Sequence, residues 1–166
     1  MAIPSVFEDG HLEEWVKWRK EVKELFKVLG YGSKPAMQHK VYQSLLAGKA
    51  LEYYNDYYSH NNLANLILPE ARHVGKDIIL QYTLNDVAKK IFPNWEIALW
   101  AQKAYMQKCL FMGNQNPEVF KDWLLEMNDA LEYFPTRTDP GPGTIPPCKL
   151  EEDELVDIMD GSKKFE

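Results

Sequence analysis

Cysteine is scarce in this chain of 166 residues: Cys109 and Cys148 stand far apart and form no C-x-x-C pair. That argues against a disulfide-stapled scaffold and points to reduced thiols in a cytosolic setting. Long apolar runs are missing too, since nothing approaches the ~18 consecutive apolar residues of a membrane span. The opening MAIPSVFEDGHLEEW has neither the basic start nor the apolar core of a secretory signal. The expected location is therefore cytoplasmic, with no membrane partner.

A basic surplus is also absent. Net charge is −6 and the pI is about 5.3, whereas gripping phosphates rests on excess Lys and Arg. The cations of the first helical segment (Lys17, Arg19, Lys20, Lys23, Lys27) alternate with Glu13, Glu14, Glu21 and Glu24, the pattern of a solvated helix face. Motifs for chemistry are equally sparse. His11, His39, His60 and His73 show no zinc spacing, and G-x-S-x-G, G-x-x-x-x-G-K-S/T and G-x-G-x-x-G do not occur. The acidic run Glu151–Glu154 points around a helix start rather than at one centre, where it suits the helix dipole. Cys109 has no evident activating partner. No catalytic residue, cofactor, metal or small-molecule substrate is expected.

What the chain has in quantity is apolar and aromatic side chains, 45% and 13% of its residues. Their spacing is helical. Leu12, Trp15, Arg19, Val22, Phe26 and Leu29 recur in steps of three or four, so the apolar members form one stripe, with Gly30 placed to end the helix. A second helix is predicted from near Ser33 or Lys34, with Pro35 in its first turn, through Met37, Val41, Leu45, Gly48, Leu51 and Tyr54 to Tyr58. Gly48 inside that pattern costs about 1 kcal/mol against Ala, which a closely passing helix would explain. Residues 70–76 read as a loop, and periodicity returns with Leu80, Leu84, Val87, Ala88, Ile91 and Phe92, where Thr83 and Asp86 suggest a variant capping box. Phe92-Pro93 ends that helix.

Asn94 can cap the next helix, assigned Ile97, Ala101, Ala104, Tyr105, Leu110, Trp95 and Trp100, with a stop at Gly113. Asn116-Pro117-Glu118 is the clearest helix start in the chain, with N-cap, first-turn proline and acid in order. The helix after it should bury Phe120, Trp123, Leu124, Met127, Leu131 and Phe134. Half of the ten prolines then fall between Pro135 and Cys148, predicting a long exposed connection, followed by a short acidic helix from Leu150 to Asp160 ended by Gly161. No hairpin signal appears, so the fold class is all-α with no substantial β-sheet.

The rings of Tyr53, Tyr54, Tyr57 and Tyr58 occupy two adjacent strips of one helix and cannot all face one core. Trp15 and Trp18 raise the same question. Either the core is broad, or Trp18, Tyr53, Tyr57 and Tyr58 belong to a self-association surface.

The order of these features resembles the Gag polyproteins of LTR retrotransposons. The opening F-x-x-G-x-x-x-E-W (Phe7, Gly10, Glu14, Trp15) is similar to their start, and Leu45-Leu46-Ala47-Gly48-Lys49-Ala50 looks like their L-L-x-G-x-A motif. Phe92-Pro93, Ala104-Tyr105-Met106, and Pro117 to Phe120 with Trp123 and Leu124 resemble the carboxy-terminal lobe. Asn128, Leu131, Phe134-Pro135 and Lys149-Leu150 follow in the same order. Each piece is short, and the resemblance rests on order and spacing over nearly the whole chain. It implies a two-lobed, retroviral-capsid-like helical protein, with residues 1–92 as the amino-terminal lobe and 93–166 as the carboxy-terminal one. Trp15, Leu45, Leu46, Gly48, Ala50, Phe92, Phe120, Trp123 and Leu124 would be its core and motif residues. It further implies self-association into a particle around element RNA. Such proteins continue with a further helix beyond the position of Gly161, so a truncated or differently completed second lobe is implied here. No zinc knuckle or basic tail accompanies these residues, which leaves RNA to a segment outside this chain. The competing expectation is a monomeric, domesticated-capsid adaptor that binds peptide or protein partners in a groove of its first lobe.

Overall fold

Helix α1 (Leu12–Leu29) presents Trp15, Trp18, Val22 and Phe26 to the interior, a stripe at helical spacing. Gly30 ends it in the left-handed region at φ 71°, and the Tyr31 amide donates back to the Phe26 carbonyl at 2.8 Å. This wrap satisfies carbonyls the last turn would otherwise leave free. The computed structural model describes residues 3–67, 76–108, 116–135 and 150–163.

The single long helix predicted after Pro35 is two helices, α2 (Pro35–Leu45) and α3 (Gly48–His60). The amino-terminal segment causes the break. Leu46 and Ala47 are extended, the Phe7 amide donates to the Leu45 carbonyl at 2.9 Å, and the Ala47 amide donates to the Phe7 carbonyl at 3.0 Å. Phe7 and Leu46 thus form an isolated parallel bridge, which pairs backbone groups that the interrupted helix no longer serves. Gly48 then restarts the helix at φ 55°, and a β-carbon there would lie 2.7 Å from the Glu8 side chain. The glycine accommodates the amino-terminal segment, not the passing helix its position suggested.

After a short turn of helix, α4 (Leu63–Leu66), the chain forms α5 (Lys76–Ile91). This helix begins four residues before Leu80, so Thr83 lies inside it and caps nothing; its hydroxyl donates to the Ile79 carbonyl one turn back. Leu80, Leu84, Val87 and Ala88 of α5 join Phe7, Trp15, Trp18, Tyr42, Leu46, Ala50 and Tyr54 in one buried cluster. Helices α1, α2, α3 and α5 share this first core.

Helix α6 (Trp95–Lys108) leads to α7 (Pro117–Ala130), whose start follows the predicted chemistry: Asn116 Oδ1 accepts from the Glu118 amide at 2.9 Å, and Pro117 occupies the first turn. A 3-10 turn, Leu131–Tyr133, follows, and Phe134 is extended before Pro135. Pro135 itself is buried rather than exposed; the rest of the proline-rich run, like Cys109, Leu110, Gly113 and His73, lies outside the described residues. Helix α8 spans Glu152–Lys163, so Gly161 does not end it. A second cluster gathers Met106, Phe120, Leu124, Leu131, Leu150, Leu155 and Ile158. Among the described residues there is no strand or sheet, and the fold is all-α.

A buried pair of hydrogen bonds ties this second cluster together, and a half-exposed junction joins it to the first. Asn128, within α7, exchanges two hydrogen bonds with the Leu150 backbone, donating to its carbonyl (3.1 Å) and accepting from its amide (2.7 Å). Across the two clusters, Lys23 of α1 pairs with Glu132 at 3.2 Å, and the Arg19 guanidinium stands 5.3 Å from the Tyr133 ring. Burial opposes the Lys23 charge, but Glu132 and Tyr133 outweigh it and raise its pKa. That junction is cationic, aromatic and partly wet, unlike either core.

Candidate functional site

Of the residues singled out from the motif order, all but Gly48, which is exposed, sit in the two clusters or pack against them. Trp15 is fully buried, edge-on to Phe7 at 5.1 Å and stacked on Trp18 at 5.3 Å. Leu45, Leu46 and Ala50 are buried around the Phe7 bridge, and Phe92 packs against the same core from the end of α5. Phe120 and Leu124 are buried in the second cluster, while Trp123 is half-buried at its edge, stacked on Phe120.

The proposed surface of Trp18, Tyr53, Tyr57 and Tyr58 loses Trp18, while its three tyrosines are half-buried. Trp18 is core, only 3% exposed, wedged between Trp15, Phe7 and Tyr42. The physical reason is that two elements cover α1: the Phe7 segment widens the buried face from one stripe to two, so both indoles fit inside. Neither indole N–H has a hydrogen-bond partner among the described residues. Tyr53 packs on the first core with Lys90 Nζ 5.5 Å from its ring. Tyr58 stacks on His39 at 3.9 Å and is half-buried, as is Tyr57. Next to it the Tyr54 hydroxyl and His39 Nδ1 are 2.8 Å apart. Burial lowers the His39 pKa and pushes the Tyr54 phenol far up.

The uncovered apolar surface lies elsewhere, on α6. Trp95, Leu99 and Met106 turn inward. The opposite side of the same helix carries Ile97, Trp100, Ala101, Ala104 and Tyr105, and there Ile97 is 66%, Trp100 70% and Tyr105 56% exposed. Tyr105 meets Trp123 edge-on at 6.2 Å, which continues the patch onto α7, where Val119 is also exposed. The sequence places Ile97, Trp100, Ala101 and Tyr105 on this helix with Trp95 but does not say which of them face inward. The available signal was that α6 carries large apolar residues on two sides, which a helix covered on one side does not need.

No family model, curated protein or solved structure matches this chain. The site therefore has to be read from its own chemistry. Between α1 and α7 runs an open groove of about 430 Å³ lined by Lys20, Glu24, Asp122, Leu125, Glu126, Asp129 and Tyr133. Its carboxylates outnumber its one amine, a charge balance that repels phosphate. Among the described residues no group of three or more His, Cys, Asp or Glu is placed to hold a metal ion. The acidic run starts α8, where the Glu154 carboxylate accepts from the Glu151 amide at 3.2 Å and caps the helix. None of the helices of the described residues is long and apolar enough to cross a membrane.

Proposed function

We propose that this chain is a structural Gag-type capsid protein whose copies self-associate into a particle enclosing retroelement RNA, with the RNA held by a segment other than these residues. The observation that carries the reading is the α6 face, where Ile97, Trp100 and Tyr105 stand in water over a helix already packed on its other side. Large rings displayed in one patch cost solubility, and self-contact is the use that offsets it. The order of motifs from Phe7 to Leu150 supports the Gag-type assignment. Two helical cores joined by a polar junction suit a protein whose lobes contact different neighbours.

Size-exclusion chromatography with light scattering over a range of concentrations, followed by electron microscopy at low and high salt, tests it. Each copy carries a net charge of −6, so added salt screens repulsion between copies and should promote assembly. Rings, sheets or shells that increase with ionic strength are the expected result. A chain that stays strictly monomeric at every concentration and salt level refutes the proposal.

A further inference from the structure

The α6 face also carries information about how two copies meet. Around this helix the exposed apolar face centres on exposed Ala101 and half-buried Ala104, with Ile97 toward one end, Trp100 on one flank and Tyr105 on the other. Two alanines at the middle of an apolar strip leave room for a second helix to approach to about 8 Å between axes. The charges at the two ends differ in sign: Glu96 opens the helix, Lys108 closes it, and both are exposed.

We infer that α6 pairs with α6 of a second copy, antiparallel about a two-fold axis that passes near Ala101 and Ala104. This rests on the self-association proposed above and specifies its contact. Antiparallel pairing brings Glu96 of one copy to the height of Lys108 of the other, twice by symmetry. A parallel pairing would set like charges together at both ends. Such a contact is isologous, so each copy supplies the same patch and the pair closes on itself.

The area is adequate. At their observed exposures Ile97, Trp100 and Tyr105 leave roughly 400 Å² of side chain in water, against about 800 Å² per partner in an ordinary stable interface. They make an apolar centre of half that size, and the rest falls to the rim formed by Glu96, Lys108 and the α7 residues Val119 and Trp123.

The test uses the whole chain and measures dimerisation by analytical ultracentrifugation. Trp100→Ala and Ala101→Arg should each weaken dimerisation at least tenfold while the melting curve stays in place, because Trp95, Leu99 and Met106 still hold α6 to its own core. At low ionic strength, Glu96→Lys and Lys108→Glu should each weaken the dimer about threefold to tenfold, and the double charge swap should recover most of the loss. The swap also separates this contact from a simpler cause. Both native charges suit the dipole of their own helix, so if the dipole alone explained them, the double variant would be worse than either single one. Association that is indifferent to Trp100→Ala and Ala101→Arg overturns the α6 contact but leaves self-assembly standing through another surface. Wild-type chain that never associates overturns both. A double swap no better than the single variants overturns the antiparallel arrangement.

Discussion

Asn128 offers the sharpest test of how the second cluster is held. Its side chain is buried and makes both of its hydrogen bonds to one residue, the Leu150 backbone, 22 positions further along the chain. Leu150 is itself buried and leads directly into α8. Replacing Asn128 with Ala removes the donor and the acceptor together and leaves a buried amide and carbonyl without partners. Each unsatisfied group costs about 1–3 kcal/mol, and partial hydration at the cluster edge reduces the sum to roughly 2–4 kcal/mol. For a chain of this length that corresponds to a melting temperature lower by roughly 4–16 °C. Chemical denaturation gives the free energy, and hydrogen exchange at the Leu150 amide shows whether α8 detaches before the rest unfolds. Asn128→Asp adds a directional check. Its carboxylate still accepts from the amide but repels the carbonyl, and protonation restores a donor. The deficit relative to wild type should therefore narrow as pH falls. A loss below about 0.5 kcal/mol for Asn128→Ala, with protection at Leu150 unchanged, would refute the reasoning.

Trp18→Ala should cost about 3–5 kcal/mol in denaturant unfolding and leave association unchanged, whereas Trp18→Phe, which removes an N–H lacking a partner, should stay within about 1.5 kcal/mol of wild type. Gly48→Ala should lose about 1–2 kcal/mol by the same measurement, because a β-carbon in the left-handed region is strained and meets the Glu8 side chain. Burial lowers the His39 pKa, so below about 6.5 the unfolded chain binds the proton more readily than the folded one. Stability should therefore fall as pH drops from 7 through the unfolded value, level off below the folded one, and lose that slope in His39→Gln. Thermal melts across pH 4–8, with the imidazole titrated by NMR, check the sign.

What could be read from the chain before folding was whatever depends on near neighbours. The stripes on α1, α5 and α7 follow from spacing, and the Gly30 stop and the Asn116-Pro117-Glu118 start follow from backbone groups within one turn. The all-α class is the sum of such local signals. The L-L-x-G-x-A run was visible as a motif, yet its role was not. Leu46 and Ala47 leave the helix only because Phe7, about 40 residues earlier, pairs with them, and nothing local records that.

The exposed apolar face proposed for assembly depends most on tertiary structure. Trp18 looked surplus on α1 because one packing partner was assumed, whereas the Phe7 segment and α2 bury it from two sides. On α6 the sequence places Trp95 and Trp100 on one helix without ranking them, and the structure buries the first and exposes the second. A helix with large apolar residues on two sides has two candidate inner faces, and its own sequence does not rank them. The choice falls to its neighbours: α7 and α8 offer Leu124, Leu155 and Ile158 to the Met106 side, which leaves Ile97, Trp100 and Tyr105 in water. The amino acids determined that α6 would have apolar surface on both sides, and the packing of the second cluster decided which of them remained exposed.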